Sequence, residues 1–170
     1  DKALEAGKQA SPNVESILMN IGGDVKGWKK SPDTPWTIGV SFPAADISTD
    51  IKILSGAIAT SGNGARDMKI GEDNYSHIIP PRDGWPVGDI VGVSVYTEDA
   101  VQADALATAL MVMPVKVGLK FVNDLDNTEA LVLSSDGILH RSQGWRALET
   151  EGDISSVRGS ALPNGYDFKT

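Results

Sequence analysis

Short apolar segments rich in β-branched residues recur along the chain, separated by clusters of glycine, proline and aspartate. Three of them are predicted strands of one sheet, at 17–21, 36–42 and 90–96, because each is short and is apolar or alternates in polarity. The segment 51–60 predicts a further pair of strands. Ser61 to Gly64 predicts the turn that follows this pair.

A helical pattern begins after Thr97, whose hydroxyl can cap the helix, while Glu98 and Asp99 place negative charge at its positive end. Apolar residues then continue as far as Pro114, which ends the helix. A second, amphipathic helix is predicted over 115–125. The sequence therefore predicts two consecutive helices in its second half.

The other segments complete an irregular order of elements. Residues 3–11 predict a short helix, 27–35 a loop and 130–140 a β-hairpin. Residues 149–170 are polar, rich in glycine and serine and without periodicity, which predicts a tail or linker. Strands and helices mixed in this order predict an α+β domain over 1–148, with a mostly antiparallel sheet packed against helices.

The net charge of the chain limits the classes of partner that it is expected to bind. Its 170 residues include 15 Lys and Arg and 23 Asp and Glu, for a formal net charge of −8. This balance opposes attraction to nucleic acid or anionic lipid, so neither is an expected partner. Cysteine is absent, which excludes disulfides and thiolate metal sites. The first residues lack a signal-peptide pattern and begin within a helical pattern, so we expect part of a longer protein to be missing.

A carboxylate interrupts the apolar sequence of the helix after Thr97. Apolar residues surround Asp104 around nearly the whole helical wheel, which predicts burial on most faces. Thr108 lies one turn later, so its hydroxyl is expected to stack over the carboxylate. Two oxygen ligands so placed suit Mg²⁺, with water or phosphate completing the octahedron. Alternatively, Asp104 bonds a basic or backbone group and Thr108 bonds back to the carbonyl of residue 104.

Two further motifs are candidates for chemistry. His77 precedes a Pro-Pro turn, where it could act as a general acid or base near neutral pH or could be a structural imidazole bonded to a loop carbonyl. The turn that begins with Ser61 and Gly62 could cradle a phosphate with its backbone N–H groups, although it lacks a Walker pattern. His140, at the end of a predicted hairpin strand, is expected to be a surface residue or to serve in edge packing.

Taken in chain order, six short motifs resemble the C-terminal half of the ApbE family, the FAD:protein FMN transferases once called thiamine biosynthesis lipoproteins. The matching segments are Asp1-Lys2-Ala3, Ile21-Gly22-Gly23-Asp24, Trp36 to Val40, Ile58 to Gly62, Tyr75 to Ile78 and Asp104 to Leu110. The Asp-Ala-Leu-Ala-Thr-Ala helix is the most specific of them. The resemblance covers most of residues 1–146 and implies an α+β, T-fold-related domain whose N-terminal half is missing.

The resemblance also implies an activity. Members of this family are Mg²⁺-dependent enzymes that cleave the pyrophosphate of FAD and transfer FMN to a threonine of an acceptor flavoprotein, while some hydrolyse FAD to FMN and AMP. Their usual location, periplasmic or otherwise extracytoplasmic, is implied in the same way. The expected partners are therefore FAD and an acceptor protein with a reactive threonine. A separate chain that carries the missing N-terminal half is a further possible partner.

Carried over position by position, the resemblance assigns roles to individual residues. His77 would be the catalytic histidine near the pyrophosphate. The implied metal ligands are the side chains of Asp104 and Thr108 and the carbonyl of Ala107. The residues implied to lie along the flavin nucleotide are Ile78, Ser61 and Gly62.

The chain departs from the family pattern in two loops. Pro80 stands in place of an acid and Asp83 in place of a threonine after the histidine. Asn63 and Gly64 stand where an aromatic residue is common. Two classes of function stay open: a flavin transferase or FAD pyrophosphatase that is active once its other half is supplied, and a non-catalytic flavin-binding or protein-interaction domain.

Overall fold

The computed structural model describes residues 1–62, 67–82, 84–150 and 155–156. The helices are α1 (Lys2–Ala10), α2 (Ala100–Met111), α3 (Val115–Asn123) and α4 (Trp145–Leu148). The strands are β1 (Ser16–Ile21), β2 (Asp24–Lys29), β3 (Trp36–Phe42), β4 (Ile47–Ile53), β5 (Gly56–Gly62), β6 (Met68–Ile70), β7 (Asp73–Tyr75), β8 (Ile90–Thr97), β9 (Glu129–Ser134), β10 (Leu139–Arg141) and β11 (Ser155–Ser156).

The strands form a six-stranded sheet in the order β1-β2-β5-β8-β9-β10, a second sheet in the order β11-β4-β3, and the hairpin β6-β7. Each described pairing is antiparallel. The α+β prediction is therefore confirmed. The expectation that 36–42 joins the same sheet as 17–21 and 90–96 is wrong, because β3 pairs with β4 in the second sheet.

The six-stranded sheet is the middle of three layers, so both of its faces are buried. Strand β9 shows the alternation: Ala130 and Val132 face the core under α2 and α3, while Leu131 and Leu133 face the core shared with β3 and β4. Trp145 of α4 is fully buried in that second core. This arrangement explains why the central strands are apolar at successive positions rather than at every second one.

A β-bulge interrupts the regular alternation of side chains along strand β8. The pairing of β8 with β9 shifts between Ile90 and Gly92. Val91 faces the second core, whereas Val93 faces the helices, although residues two apart share a face in a regular strand. Gly92 lies against the ring of Phe42 from β3, where a Cβ atom would be only 2.3 Å from Cδ1.

Local boundaries differ from the sequence predictions at several places. Residues 24–29 form β2, so the predicted loop over 27–35 begins too early. Ser61 and Gly62 extend β5 rather than beginning a turn, and the rest of that predicted turn lies outside the described residues. The cap of α2 is Asp99, whose carboxylate accepts a hydrogen bond from the Gln102 N–H at 2.9 Å.

Helix α2 is buried on one face only, which corrects the expectation of burial on most faces. Ala103 and Ala107 are fully buried against β5 and β8. Asp104 and Thr108 are exposed, and Val101 is 72% exposed. The helix belongs to an outer layer, so one of its sides faces solvent. Alanines occur on both sides, and the sequence pattern therefore does not distinguish the exposed side from the packed one.

The residues at the predicted tail boundary are bonded to the domain. The carboxylate of Glu149 accepts hydrogen bonds from Arg141 Nε at 2.9 Å and from Trp145 Nε1 at 3.2 Å. The N–H of Thr150 donates to the carbonyl of Asp50. Residues 155–156 pair with β4, and the remainder of the predicted tail lies outside the described residues. Within the described part of the chain, no helix is long and apolar enough to cross a membrane.

Candidate functional site

Two predicted site residues that are far apart in sequence are in contact. The hydroxyl oxygens of Ser61, near the end of β5, and Thr108, on α2, lie 2.8 Å apart and share a hydrogen bond. The contact forms because α2 packs directly on β5 and β8, with the methyl group of Ala107 fully buried at the interface. The structure thus brings two expected components of one site together across the sheet and helix layers.

Asp104 lies one helical turn before Thr108, and both are exposed on the same side of α2. A carboxylate and two hydroxyls form an all-oxygen donor set, which is the chemistry that Mg²⁺ prefers. The carbonyl of Ala107 lies inside the helix, where carbonyls accept the N–H four residues later, so it offers only its second lone pair. No group of three or more His, Asp or Glu side chains within the described ranges is arranged to hold a metal. The donor set therefore fits a magnesium ion that takes its other ligands from water, phosphate or another polypeptide.

The N-terminal end of α2 is held by a second group of charged residues. The carboxylate of Asp1 accepts a hydrogen bond from the N–H of Ala100 at 3.2 Å and lies 3.2 Å from the ammonium of Lys26. Lys26 also donates to the carbonyl of Glu98. Burial lowers the pKa of Lys26 below its ordinary value of 10.5, although the charge of Asp99 opposes this shift. These bonds fix the helix one turn before Asp104.

A cavity of about 250 Å³ adjoins this end of α2. Asp104 and Lys26 line it together with apolar side chains, including Ile21 and Val101, which are 67% and 72% exposed. Isolated apolar residues on a surface are ordinary, but these two border the same cavity as a candidate metal ligand. The site is therefore open on one side, where a ligand or another polypeptide segment can cover it.

His77 belongs to a second cluster, on the loop that follows β7. Its Nδ1 atom lies 3.3 Å from Oδ1 of Asp67. The next residue, Ile78, is buried in the core beneath α2, its N–H donates to the hydroxyl of Ser76, and its carbonyl accepts from the N–H of Val87. Ile78 therefore anchors the loop through its side chain, while the His77 imidazole remains partly exposed to solvent.

Gly62 is required by packing. A Cβ atom on this residue would be 2.9 Å from the carbonyl oxygen of Val91 and 3.2 Å from Cα of Gly92. The close approach of β5 and β8 therefore explains the glycine without a ligand. Any phosphate contact by backbone N–H groups of the following residues, Asn63 and Gly64, lies outside the described part of the chain.

A larger cleft, of about 670 Å³, contains Arg82, Ser134 and His140 but none of the predicted site residues. Ser134 donates to the carboxylate of Asp136 at 2.5 Å or to the carbonyl of Ile138 at 3.1 Å. A hydroxyl has one proton, so the Nε2 atom of His140, 2.9 Å away, must donate to Ser134 rather than activate it. The hydrogen bond from Ser134 also holds the pKa of Asp136 below its ordinary value of 3.8. This group stabilises the β9-β10 turn and is not a nucleophile with its base.

Sequence reasoning missed two parts of the site. Asp67 pairs with His77 only because a hairpin brings them together, and no local pattern marks it. Asp1 and Lys26 act on α2 across long sequence separations, which no short motif records. By contrast, the contact of Ser61 with Thr108 joins two positions that the family resemblance had singled out.

The three-layer fold, in which antiparallel sheets pack against helices, defines an α+β domain. A family model described as the ApbE family matches residues 1–132, and the chain belongs to that family. A solved ApbE structure from Thermotoga maritima aligns with a TM-score of 0.78 and 34% identity, covering 89% of this chain and 50% of that one. An apo flavinyl transferase ApbE from Pseudomonas stutzeri shares the fold, with a TM-score of 0.68 at 24% identity over 89% of this chain and 49% of that one.

Relatives with assigned names are similar in sequence. An FAD:protein FMN transferase of Vibrio cholerae is 35% identical over 115 residues, which is 64% of this chain and 34% of that protein. One from Klebsiella pneumoniae is 27% identical over 157 residues, which is 90% of this chain and 45% of that protein. The chain therefore spans half or less of the length of these relatives.

Proposed function

We propose that this chain forms the C-terminal half of an FAD:protein FMN transferase and contributes metal ligands and a general base to its site. The observation that carries the proposal is the hydrogen bond between Ser61 and Thr108, one turn from Asp104. It supports the proposal because it joins hydroxyl oxygens from two distant segments, one helical turn from the carboxylate of Asp104. The names of the sequence relatives supply the reaction class.

The reaction is a displacement at phosphorus. The hydroxyl oxygen of an acceptor threonine attacks the FMN phosphorus of FAD, a new P–O bond forms, the pyrophosphate P–O bond breaks, and AMP leaves. His77 accepts the proton of the attacking hydroxyl at Nε2, which is the nitrogen opposite its contact with Asp67. With water as the nucleophile, the same residues would hydrolyse FAD to FMN and AMP.

Asp104 and Thr108 would hold Mg²⁺, with the Ala107 carbonyl as a further ligand. Ser61 would orient the hydroxyl of Thr108 through their hydrogen bond. When bound, the ion neutralises negative charge on the phosphate oxygens during transfer. A single protein carboxylate is enough for such a site, since Mg²⁺ commonly takes its other ligands from waters and substrate phosphates.

The remaining half of the site would come from a polypeptide equivalent to the N-terminal half of the relatives. The cavity beside Asp104 supports this proposal, because its exposed apolar residues Ile21 and Val101 offer a surface for such a segment. The segment can belong to a longer protein that contains this chain or to a separate chain. In either case it would cover the open side of the cavity and supply further ligands.

The metal proposal is tested by thermal unfolding. Mg²⁺ should raise the melting temperature of the chain, because an ion that binds only the folded state stabilises it. Asp104→Asn should remove this rise, whereas Asp124→Asn, which removes an equal charge at the end of α3, should retain it. Equal responses of the wild type and Asp104→Asn would make Asp104 a structural carboxylate.

The catalytic proposal needs the missing half. The chain is mixed with the N-terminal half of the Thermotoga maritima relative, FAD, Mg²⁺ and a peptide containing threonine. Replacing His77 by alanine should slow FMN transfer by about 10²–10⁴-fold, the usual effect of losing a general base, with FAD affinity unchanged. A mixture that binds FAD but releases neither AMP nor flavinylated peptide would favour a non-catalytic flavin-binding domain. Equal rates for the wild type and His77→Ala would remove the role of His77.

A further inference from the structure

The contact between His77 and Asp67 is built by a hairpin. Strands β6 and β7 pair in antiparallel register, with Met68 opposite Tyr75. Asp67 immediately precedes β6, and His77 follows β7 by two residues, so the two ends of the hairpin bring the carboxylate to the imidazole. The loop beyond His77 is held in place, because Ile78 is buried and hydrogen-bonded through both its N–H and its carbonyl.

The two side chains differ sharply in exposure. The side chain of Asp67 is 6% exposed, whereas that of His77 is 34% exposed. The carboxylate is thus almost fully buried, whereas the imidazole that it contacts keeps access to solvent. A buried carboxylate that bonds one ring nitrogen can orient the imidazole while the other nitrogen contacts a ligand.

The chemistry of the contact selects one tautomer. An ionised carboxylate only accepts hydrogen bonds, so Nδ1 of His77 must carry the proton that fills the 3.3 Å gap. In the neutral ring the lone pair is then on Nε2. A neutral histidine without such a partner favours the opposite tautomer, with the proton on Nε2, and would have to rotate or exchange its proton before acting as a base at that atom.

We propose that Asp67 is a positioning residue that holds His77 in the Nδ1–H tautomer, so that Nε2 is free to take the proton of the attacking hydroxyl. This inference rests on the proposed role of His77 as general base, and it adds the residue that prepares it. In this role Asp67 acts through the imidazole and not directly on the nucleotide or the reacting atoms.

The tautomer can be measured on the chain alone by nitrogen-detected NMR of the histidine rings, at a pH well above the ordinary histidine pKa of about 6.5. His77 should show a protonated Nδ1 and an unprotonated Nε2. Asp67→Ala should shift His77 toward the Nε2–H form, and Asp67→Glu should restore the Nδ1–H form at least in part. Asp73→Asn, which removes a charge from the neighbouring strand β7, is the matched control and should change nothing.

A wild-type spectrum dominated by the Nε2–H tautomer would overturn the proposal without any variant. So would an Asp67→Ala protein whose His77 tautomer is unchanged. Because the spectrum needs neither FAD nor metal, it is independent of the proposed function. The expected tautomer in a mixture that transfers no FMN would contradict the function and leave the role of Asp67 in orienting the ring intact.

The reconstituted reaction supplies the second readout. Asp67→Ala should lower kcat by about 10–100-fold, the usual cost of removing a residue that orients a functional side chain, with KM for FAD unchanged. Asp67→Glu should recover part of this loss. A rise in KM at unchanged kcat would show that Asp67 serves nucleotide binding instead and would contradict the proposal.

Discussion

At Gly92, the absence of a side chain allows the two sheets of this domain to pack closely. This glycine follows the bulge in β8 and lies against the ring of Phe42, which is 3% exposed in the second core. The sequence presents Gly92 as one more glycine in an apolar strand. Only the packing of β3 across the sheet reveals why a larger residue is excluded there.

Replacing Gly92 by alanine should therefore destabilise the fold. The new Cβ would lie 2.3 Å from Phe42 Cδ1, and a buried ring has little freedom to move, so a loss of about 1–3 kcal/mol is expected in urea unfolding. Gly39→Ala is the control, because its Cβ would meet its nearest neighbour, Asp50 Oδ1, at an ordinary 3.5 Å. Equal stabilities of the two variants would show that the bulge adapts freely.

Tyr96 gives a prediction about alkaline pH. Its hydroxyl donates to the carbonyl of Ser55 at 3.0 Å, and burial, assisted by the charge of Glu98, raises its pKa above the ordinary 10.0. The folded protein therefore keeps a proton that the unfolded chain has lost, so this contribution to stability is present below pH 10.0 and declines as pH rises through the folded pKa.

The Tyr96→Phe variant isolates this effect. Below pH 10 it should be less stable than the wild type by about 1 kcal/mol, the usual net value of one hydrogen bond. The difference should shrink as the pH rises above 10, when measured by urea unfolding of both proteins. A difference that is constant with pH would show that Tyr96 titrates alike in both states.

At the scale of elements, α2 illustrates the limit of hydrophobic patterning. Its sequence is alanine-rich on every side, so the apolar pattern predicts a helix but does not identify its buried face. The structure selects the face that carries Ala103 and Ala107, which allow the helix to approach β5 and β8 closely. Asp104 and Thr108 consequently face outward, where they are accessible to a ligand.

Leucine substitutions should distinguish the two faces of α2. Ala107→Leu places a larger side chain into a closed interface and should cost about 1–3 kcal/mol. Ala105→Leu lies on the exposed face and should change stability by no more than about 0.5 kcal/mol. Chemical denaturation of both variants measures the difference. Similar losses at both positions would mean that the exposed face is covered in solution.

At the scale of the whole molecule, the boundary of the domain depends on contacts that are remote in sequence. Glu149 begins the polar segment that composition predicts as a tail, yet its carboxylate bonds Arg141 and the buried indole of Trp145. Thr150 continues this attachment through its bond to Asp50. Composition alone does not reveal that a polar residue satisfies buried partners.

Two truncated chains should therefore differ in stability. A chain that ends at Leu148 leaves Arg141 Nε and the buried indole N–H of Trp145 without their acceptor, and the buried indole N–H alone should cost about 1–3 kcal/mol. A chain that ends at Thr150 keeps these bonds and should be the more stable of the two in thermal unfolding. Equal melting temperatures would place the end of the domain before Glu149.

The sequence by itself determined the class of the fold, the main elements and the family, because periodicity, caps and short motifs are local properties of the chain. It also marked Asp104, Thr108, Ser61 and His77 as candidates. Tertiary structure alone decided which of these meet: packing of α2 on β5 joins Ser61 to Thr108, and a hairpin brings Asp67 to His77. These contacts depend on strand register and on the sheet in which each strand lies, which for β3 is the second sheet. A one-residue shift in the register of β5 would turn the side chain of Ser61 to the opposite face of its sheet.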